Sequence, residues 1–165
     1  MVTPLMPGLD PSQKPTHARH VVILFALLLA VLAYVDRVSL SMAAPFVRRD
    51  LNLDAVQMGY VFATFAFAYA LFASPSGWLG DRFGPKRILV FAVLWWSVCL
   101  AATGLTWNLA SMVAVQLLFG AGEAGCFPNL TKTMTIWLPK SERSRAQGLM
   151  WTFARLGGAF TPPIM

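Results

Sequence analysis

Four ionisable side chains lie inside long apolar stretches of the sequence: Asp36, Arg37, Glu123 and Arg155. A charge at the centre of a bilayer costs about 2.5–3.5 kcal/mol on insertion scales, so such residues face a bundle interior or a water-filled cavity and often mark a transport pathway. The alternative is structural, because buried charges also pair with each other merely to tolerate burial. The pattern therefore predicts either a pathway for ions and protons or an internal ion pair.

Glu123 has the most distinctive surroundings of the four. Gly120, Gly122 and Gly125 remove side chains around it and leave room for water or a solute beside the carboxylate. A low-dielectric cavity favours the neutral form of a carboxyl group, so we expect Glu123 to exchange a proton near neutral pH. Gln116 lies two helical turns earlier on the same face and can hydrogen-bond the carboxylate without neutralising it.

A second group of charged residues and glycines occupies residues 77–87, between two apolar stretches. It contains Gly77, Asp81, Arg82, Gly84, Lys86 and Arg87. We expect a tight turn between antiparallel membrane helices, with glycine where backbones approach or φ turns positive, and with the cations on the cytosolic side. Asp81 would accept hydrogen bonds from backbone donors or from the neighbouring Arg82. A plain positively charged loop is the alternative, although it does not require the glycines and the aspartate at these offsets.

The composition is that of an integral membrane protein. Hydrophobic residues make up 57% of the chain and charged residues only 12%, whereas soluble domains have about 25% charged residues. The net charge of +6 does not indicate nucleic-acid binding, because the basic residues flank apolar spans instead of lining one face. The sequence has no zinc-ligand spacing, phosphate-binding loop or nucleophile triad, so we expect no enzyme activity, cofactor or metal. Cys99 and Cys126 lie in apolar segments and are expected to stay unpaired.

Hydropathy divides the chain into a polar tail and five expected spans. Residues 1–18 are rich in proline and polar residues and should form a disordered cytoplasmic tail. The expected spans cover about 21–47, 57–79, 88–106, 109–137 and 146–165. Residues 21–35 alone are short for a span, so a signal peptide is the alternative there. Lysine and arginine concentrate on the tail side, with only Arg48 and Arg49 opposite, which places the N-terminus in the cytoplasm.

Residues 77–87 resemble the signature of the major facilitator superfamily, G-x-x-x-D-[RK]-x-G-[RK]-[RK]. The residues that fit it are Gly77, Asp81, Arg82, Gly84 and Lys86. Pro85 departs from it at the first basic position, and Arg87 adds a cation just beyond the second. The resemblance implies an all-α membrane protein with the N-terminal helices of the facilitator fold, in which Asp81 and Arg82 latch the cytoplasmic ends of the two halves together.

Other segments are similar to the anion:cation symporter family within that superfamily: residues 34–45, 120–128 and 137–143, with Gly157 and Gly158. That family moves organic anions such as sugar acids and aromatic acids, usually with protons. The resemblance implies that Asp36 and Glu123 occupy proton-site positions and that Arg37 occupies the arginine position of the first helix.

One residue departs from the family pattern. Members often carry arginine seven residues before the glutamate of the fourth helix, where this chain has Gln116. We expect Arg155 to supply the missing charge, since it lies roughly 13 Å from the cytosolic end of its span, at a depth that Gln116 and Glu123 bracket. The alternative is that the long apolar stem of Arg155 lets its guanidinium reach the cytosolic interface.

The sequence and its resemblance together predict the N-terminal part of a proton-coupled symporter for a small organic anion. Its expected location is the plasma membrane, or the inner membrane of a cell that has two. Its expected partners are the lipid bilayer, the anion, protons and a C-terminal half that this sequence does not include. Two alternatives stay open: a facilitator for an uncharged sugar or drug, and a non-transporting membrane scaffold or truncated gene product.

Overall fold

The computed structural model describes residues 18–162, which form six α-helices connected by short turns. In chain order the helices are α1 (Ala18–Asp50), α2 (Ala55–Phe83), α3 (Pro85–Thr103), α4 (Leu109–Glu123), α5 (Cys126–Trp137) and α6 (Lys140–Phe160). The predicted tail lies outside the described residues except for Ala18, and so do residues 163–165. The described part of the chain is all-helical, as predicted.

Four helical segments of the described chain are long and apolar enough to cross a membrane: Arg19–Asp50, Ala55–Phe83, Pro85–Thr103 and Leu109–Trp137. A bilayer core about 30 Å thick requires about 20 helical residues, and three of the four segments exceed this length. The first is one continuous helix that contains Asp36 and Arg37. The segments overlap the first four predicted spans.

Helix α6 differs from the fifth predicted span. That span was expected to begin near residue 146, whereas the helix begins at Lys140 and ends at Phe160. It is not among the four candidate spans because charged residues are scattered along it: Lys140, Glu142, Arg143, Arg145 and Arg155. Its buried face is formed by Ala146, Met150 and Ala154, which belong to the main core.

Residues 77–87 do not form an extended loop. Helix α2 continues through Asp81 to Phe83, and α3 begins at Pro85, so Gly84 is the only non-helical residue between them. Gly84 has a φ of 89°, which residues with a side chain rarely adopt. Pro85, which departs from the family signature, is the first residue of α3, where its missing N–H would have no helical partner anyway. The connection is therefore a single glycine followed by a helix start.

The helix starts at the other end of the bundle are defined by two capping boxes. Asp54 Oδ1 accepts a hydrogen bond from the Gln57 N–H at 2.7 Å, and the Gln57 side chain accepts one from the Asp54 N–H at 2.9 Å. Asn108 and Ser111 make the same exchange at the start of α4, at 2.8 and 3.1 Å. Each box satisfies two backbone donors that would otherwise be free, so α2 and α4 begin at defined residues.

Small residues allow the helices to pack closely. Helix α1 lies along α6 and α2 lies along α4, and α1 contributes Ala26, Ala30 and Ala33 to the buried core. Gly120 of α4 faces the backbone of Phe65 on α2, where a side chain would not fit. Contacts of this kind hold helices together in a bilayer, where lipid tails are as apolar as the side chains.

Candidate functional site

Arg37 and Glu123 form an ion pair in the interior of the bundle. Nε and Nη2 of Arg37 each lie 2.7 Å from Oε1 of Glu123. Glu123 is 0% exposed, whereas the side chain of Arg37 keeps 27% of its surface exposed. Oε2 of Glu123 has no hydrogen-bond partner among residues 18–162. The buried carboxylate is thus held by one cation, and one of its oxygens remains available to bind a proton.

Four aromatic rings surround the guanidinium of Arg37. Its Cζ lies 4.5 Å from the ring centre of Tyr69, 5.2 Å from that of Phe65, 5.6 Å from that of Tyr34 and 6.0 Å from that of Phe127. Cation–π contacts attract a guanidinium without neutralising its charge. None of these rings was predicted as part of the site, although Tyr34 precedes Arg37 by three residues and therefore shares its helix face.

A cavity of about 250 Å³ lies between α1, α2 and α4 and reaches this guanidinium. Its polar lining is Arg37, Ser41 and Gln116, and its apolar lining is Leu40, Phe62, Phe65 and Phe119. Gln116 is 1% exposed, and its Oε1 has no partner in the described part of the chain. Leaving a buried acceptor unpaired costs about 1–3 kcal/mol. The cavity therefore offers a partly exposed cation and an unused amide oxygen to a solute or to water.

Asp36 is buried near the pair but does not take part in it. It is 8% exposed and forms no hydrogen bond or ion pair with another residue in the range 18–162. The side chain of Asp36 leaves α1 about 100° around the helix from that of Arg37, because consecutive helical residues are rotated by this angle. Of the two carboxyl groups predicted as proton sites, Glu123 is thus ion-paired and Asp36 is not.

Arg155 is not the cation beside Glu123. It is exposed on α6, whereas the partner of the carboxylate is Arg37. On its own helix it stands between Trp151, which stacks on an aromatic ring of α5 at 4.8 Å, and Gly158, which packs against α1. The expectation that Arg155 neutralises Glu123 is therefore corrected. Packing, and not the residue count along one helix, shows which arginine faces the carboxylate.

Asp81 pairs with a residue that the sequence did not suggest. Its carboxylate forms an ion pair with Lys132 of α5. The expected bond to Arg82 is not made, because the guanidinium of Arg82 lies over the rings of Trp78 and Phe83, at 5.6 and 5.7 Å. Asp81 therefore joins α2 to α5 within this chain.

The other motif residues lie at the same end of the bundle. Gly77 faces Pro128 of α5, where an added Cβ would be 3.6 Å from the proline Cβ. Lys86 and Arg87 are exposed in the first turn of α3. The motif thus provides a close contact between two helices on its inner side and positive charge on its outer side.

A third ion pair closes this end of the bundle. Nη1 of Arg19 lies 3.0 and 3.2 Å from the two carboxylate oxygens of Glu142, which joins the start of α1 to the start of α6. The side chains keep 19% and 43% of their surface exposed. This pair is partly exposed, whereas the pair between Arg37 and Glu123 lies in the interior of the bundle.

Residues 26–165 match the family described as the Major Facilitator Superfamily. The chain therefore belongs to the major facilitator superfamily, as the signature in residues 77–87 predicts. Its fold is similar to the crystal structure of a bacterial homologue of the human lysosomal transporter Spinster, in an inward-facing and unoccupied conformation. The TM-score is 0.84 at 26% sequence identity, over 90% of this chain and 31% of that one.

Two curated relatives are more similar in sequence. A probable sulfoacetate transporter of Cupriavidus necator is 42% identical over 147 residues, which cover 89% of this chain and 34% of the relative. The hexuronate transporter of Bacillus subtilis is 38% identical over 144 residues, which cover 87% and 34%. The chain spans about a third of the length of these relatives. Both are named as transporters and not as enzymes.

Proposed function

We propose that this chain carries the anion and proton sites of a proton-coupled transporter for a small organic anion. The observation that supports this best is the position of Arg37, which lies between an open cavity and a fully buried Glu123. A substrate in the cavity reaches the guanidinium directly, whereas it reaches the carboxylate only past the guanidinium. The relatives named for sulfoacetate and hexuronate transport support an acidic substrate.

The proposed coupling rests on competition for one cation. With the cavity empty, Arg37 is paired with Glu123 and favours the ionised carboxylate. A substrate anion that binds Arg37 weakens this pair, and the buried carboxyl group then favours its neutral, protonated form. Proton and anion therefore bind cooperatively, and linkage requires the effect to be reciprocal.

Gln116 and Asp36 have secondary roles in this proposal. Gln116 orients the substrate through its amide, because it lines the same cavity as Arg37 and its Oε1 is unpaired among the described residues. Asp36 is a second proton-binding carboxyl, as the resemblance implies; it lies next to Arg37 in the chain and is nearly buried. Arg155 adds positive charge to the exposed side of α6 without touching the pair.

The remaining elements of the proposal concern location and partners. The chain is placed in the plasma membrane, or in the inner membrane of a cell that has two, with the end that carries Lys86, Arg87 and Lys132 in the cytoplasm. Transporters of this superfamily work by rocking two bundles around a midplane site. We therefore propose a second bundle as the partner of this one, with Asp81 and Arg82 contributing to the closure between them.

Uptake into liposomes tests the proposal. The protein to use is the product of the complete reading frame that encodes this chain, with sulfoacetate, glucuronate and uncharged glucose as substrates, with and without an inward proton gradient. We expect uptake of at least one acid, accelerated by the gradient, and none of glucose. Uptake of glucose that is indifferent to the gradient would support the uncharged-sugar alternative. Absence of all uptake from a correctly folded protein would contradict transport of these classes.

A further inference from the structure

The helical hydrogen-bond ladder of the fourth membrane span is interrupted directly after Glu123, although Ala124 and Gly125 keep helical dihedrals and the span continues to Trp137. Helix α4 ends at this residue and α5 begins at Cys126, with Ala124 and Gly125 between them. Pro128 accounts for the position of the interruption, because it has no N–H to donate to the carbonyl of Ala124 four residues earlier. A backbone acceptor without its helical partner is therefore buried next to the coupling carboxylate.

Two side chains hold the backbone at this interruption. Oγ of Ser76 lies 3.2 Å from the carbonyl oxygen of Ala124 and 2.9 Å from that of Ala73, and it donates its one proton to either. Nδ2 of Asn129 donates to the carbonyl of Gly125 at 2.8 Å and to that of Ser76 at 3.2 Å. Asn129 is 0% exposed. Its amide thus links α2 to the interrupted span at the level of the break.

Asn129 fits in this place only because Gly80 has no side chain. A Cβ on Gly80 would overlap Oδ1 of Asn129 and lie 2.8 Å from its Cγ. Gly80 is an ordinary helical residue of α2, and the positive φ in this region belongs to Gly84. The reason for glycine at position 80 is therefore the close approach of Asn129 and not the backbone conformation.

We propose that Asn129 is a positioning residue for Glu123: seated against Gly80, it holds the interruption of the fourth span in the shape that presents the carboxylate to Arg37. The inference rests on the proposed function, because it treats Glu123 as the carboxyl group that couples proton binding to anion binding. The charge and proton affinity of Glu123 depend on the groups that face it, which are Asp36 and Arg37 on α1, Tyr69 on α2 and Cys126 on α5. If the break moves, the distance from the Glu123 carboxylate to each of these groups changes.

Labelling of the native cysteines tests the positioning without relying on transport. Residues 1–165 contain two cysteines, Cys126 beside the break and Cys99 on α3, and both are buried. In the full reading-frame product, with any cysteine beyond residue 165 replaced by alanine, the rate of labelling by a membrane-permeant maleimide is measured separately at each site by peptide mass spectrometry. Asn129→Ala should raise the rate at Cys126 about tenfold, as expected for the loss of two buried hydrogen bonds, and leave the rate at Cys99 unchanged.

Gly80→Ala is a second test of the same proposal, because its added Cβ displaces the side-chain amide of Asn129. Gly80→Ala should raise the rate at Cys126 by a similar factor, and the double variant Gly80→Ala/Asn129→Ala should be no faster than either single variant. Gly59→Ala, also in α2 but with nothing within 4 Å of the added Cβ, is the matched control and should behave like wild type. If Asn129→Ala does not fold, Gly80→Ala compared with Gly59→Ala carries the test, because it displaces the Asn129 amide without removing it.

The proposal is overturned if Cys126 stays protected in these variants, if both cysteines become reactive together, or if the two substitutions multiply in the double variant. A second readout separates positioning from a loss of stability. The pH at which anion uptake is half-maximal should shift in Asn129→Ala and not in Gly59→Ala. An unchanged midpoint together with faster labelling would show a structural role only and would overturn the positioning role. If the wild-type protein takes up no anion, the proposed function fails, whereas the labelling result still decides whether Asn129 holds the break.

Discussion

Removing the cation from the buried pair is the most informative perturbation of this molecule. In Arg37→Gln, Glu123 remains 0% exposed and loses the guanidinium that lies 2.7 Å away. Breaking a buried ion pair by removing one partner costs about 3–5 kcal/mol, because the remaining carboxyl group must either stay charged without compensation or take up a proton at a pH above its ordinary pKa. For a unit of about 150–250 residues that unfolds together, 1 kcal/mol lowers the melting temperature by about 2–4 °C, so we expect a decrease of about 6–20 °C when this bundle unfolds as one unit and a proportionally smaller one when a longer protein unfolds with it.

The double variant Arg37→Gln/Glu123→Gln shows whether the lost stability comes from the stranded carboxylate. It contains neither member of the ion pair, so most of the melting temperature should be recovered, since replacing both members of a buried pair by neutral groups is often close to neutral. The control is Arg19→Gln, which breaks the partly exposed pair with Glu142. Exposed pairs contribute about 0–1 kcal/mol, so this variant should melt within about 4 °C of wild type.

Thermal unfolding of the full reading-frame product in detergent, followed by far-ultraviolet circular dichroism, measures all four proteins. A melting temperature of Arg37→Gln equal to that of wild type would refute the reasoning, because Glu123 would then have found another partner or water. A double variant less stable than Arg37→Gln would refute it as well, since the cost would then lie in packing around the aromatic rings and not in the charge.

The remaining predictions concern transport in liposomes and anion binding measured by calorimetry. Glu123→Gln should bind the anion and exchange it across the membrane but lose proton-driven accumulation, because an amide does not take up the proton; loss of exchange too would argue against a coupling role. Gln116→Arg should tighten anion binding by about tenfold, since it adds a charge-assisted donor to the cavity; unchanged affinity would place the anion elsewhere. Arg155→Ala should weaken anion binding less than Arg37→Gln does, because it lies outside the pair; the opposite order would restore Arg155 as the anchor. Asp81→Asn should slow transport and leave affinity within about threefold, as it loses its ion pair with Lys132 far from the cavity lining; loss of binding in a folded protein would contradict this.

Several features of the fold follow from local chemistry alone and are visible in the sequence. Hydropathy over about 20 residues indicates a membrane helix whatever its neighbours are, so the four candidate spans overlap predicted ones. The turn at residues 77–87 is a similar case, because Gly84 with positive φ and Pro85 at a helix start are local requirements. Membership of the major facilitator superfamily is also predicted from this short motif.

Helix α6 shows what hydropathy alone does not register. The apolar residues after position 146 predict a span there, and the helix that contains these residues begins earlier, at Lys140. Glu142 pairs with Arg19, and Arg143 donates to the carbonyl oxygens of Leu138 and Thr135 at 3.0 and 2.6 Å. These partners are distant in sequence or depend on the geometry of the preceding turn, so hydropathy does not register them.

The sequence by itself identified the candidate residues: ionisable side chains at membrane depth are rare and costly, so Asp36, Arg37, Glu123 and Arg155 stand out from composition and position alone. Only the tertiary structure decided how they combine. It pairs Glu123 with Arg37 instead of Arg155, Asp81 with Lys132, and the Asn129 amide with the backbone carbonyls of Gly125 and Ser76. The physical reason is that a residue's depth in the membrane depends on its count along one helix, whereas its partner depends on the rotation and approach of two helices, which packing of small residues sets.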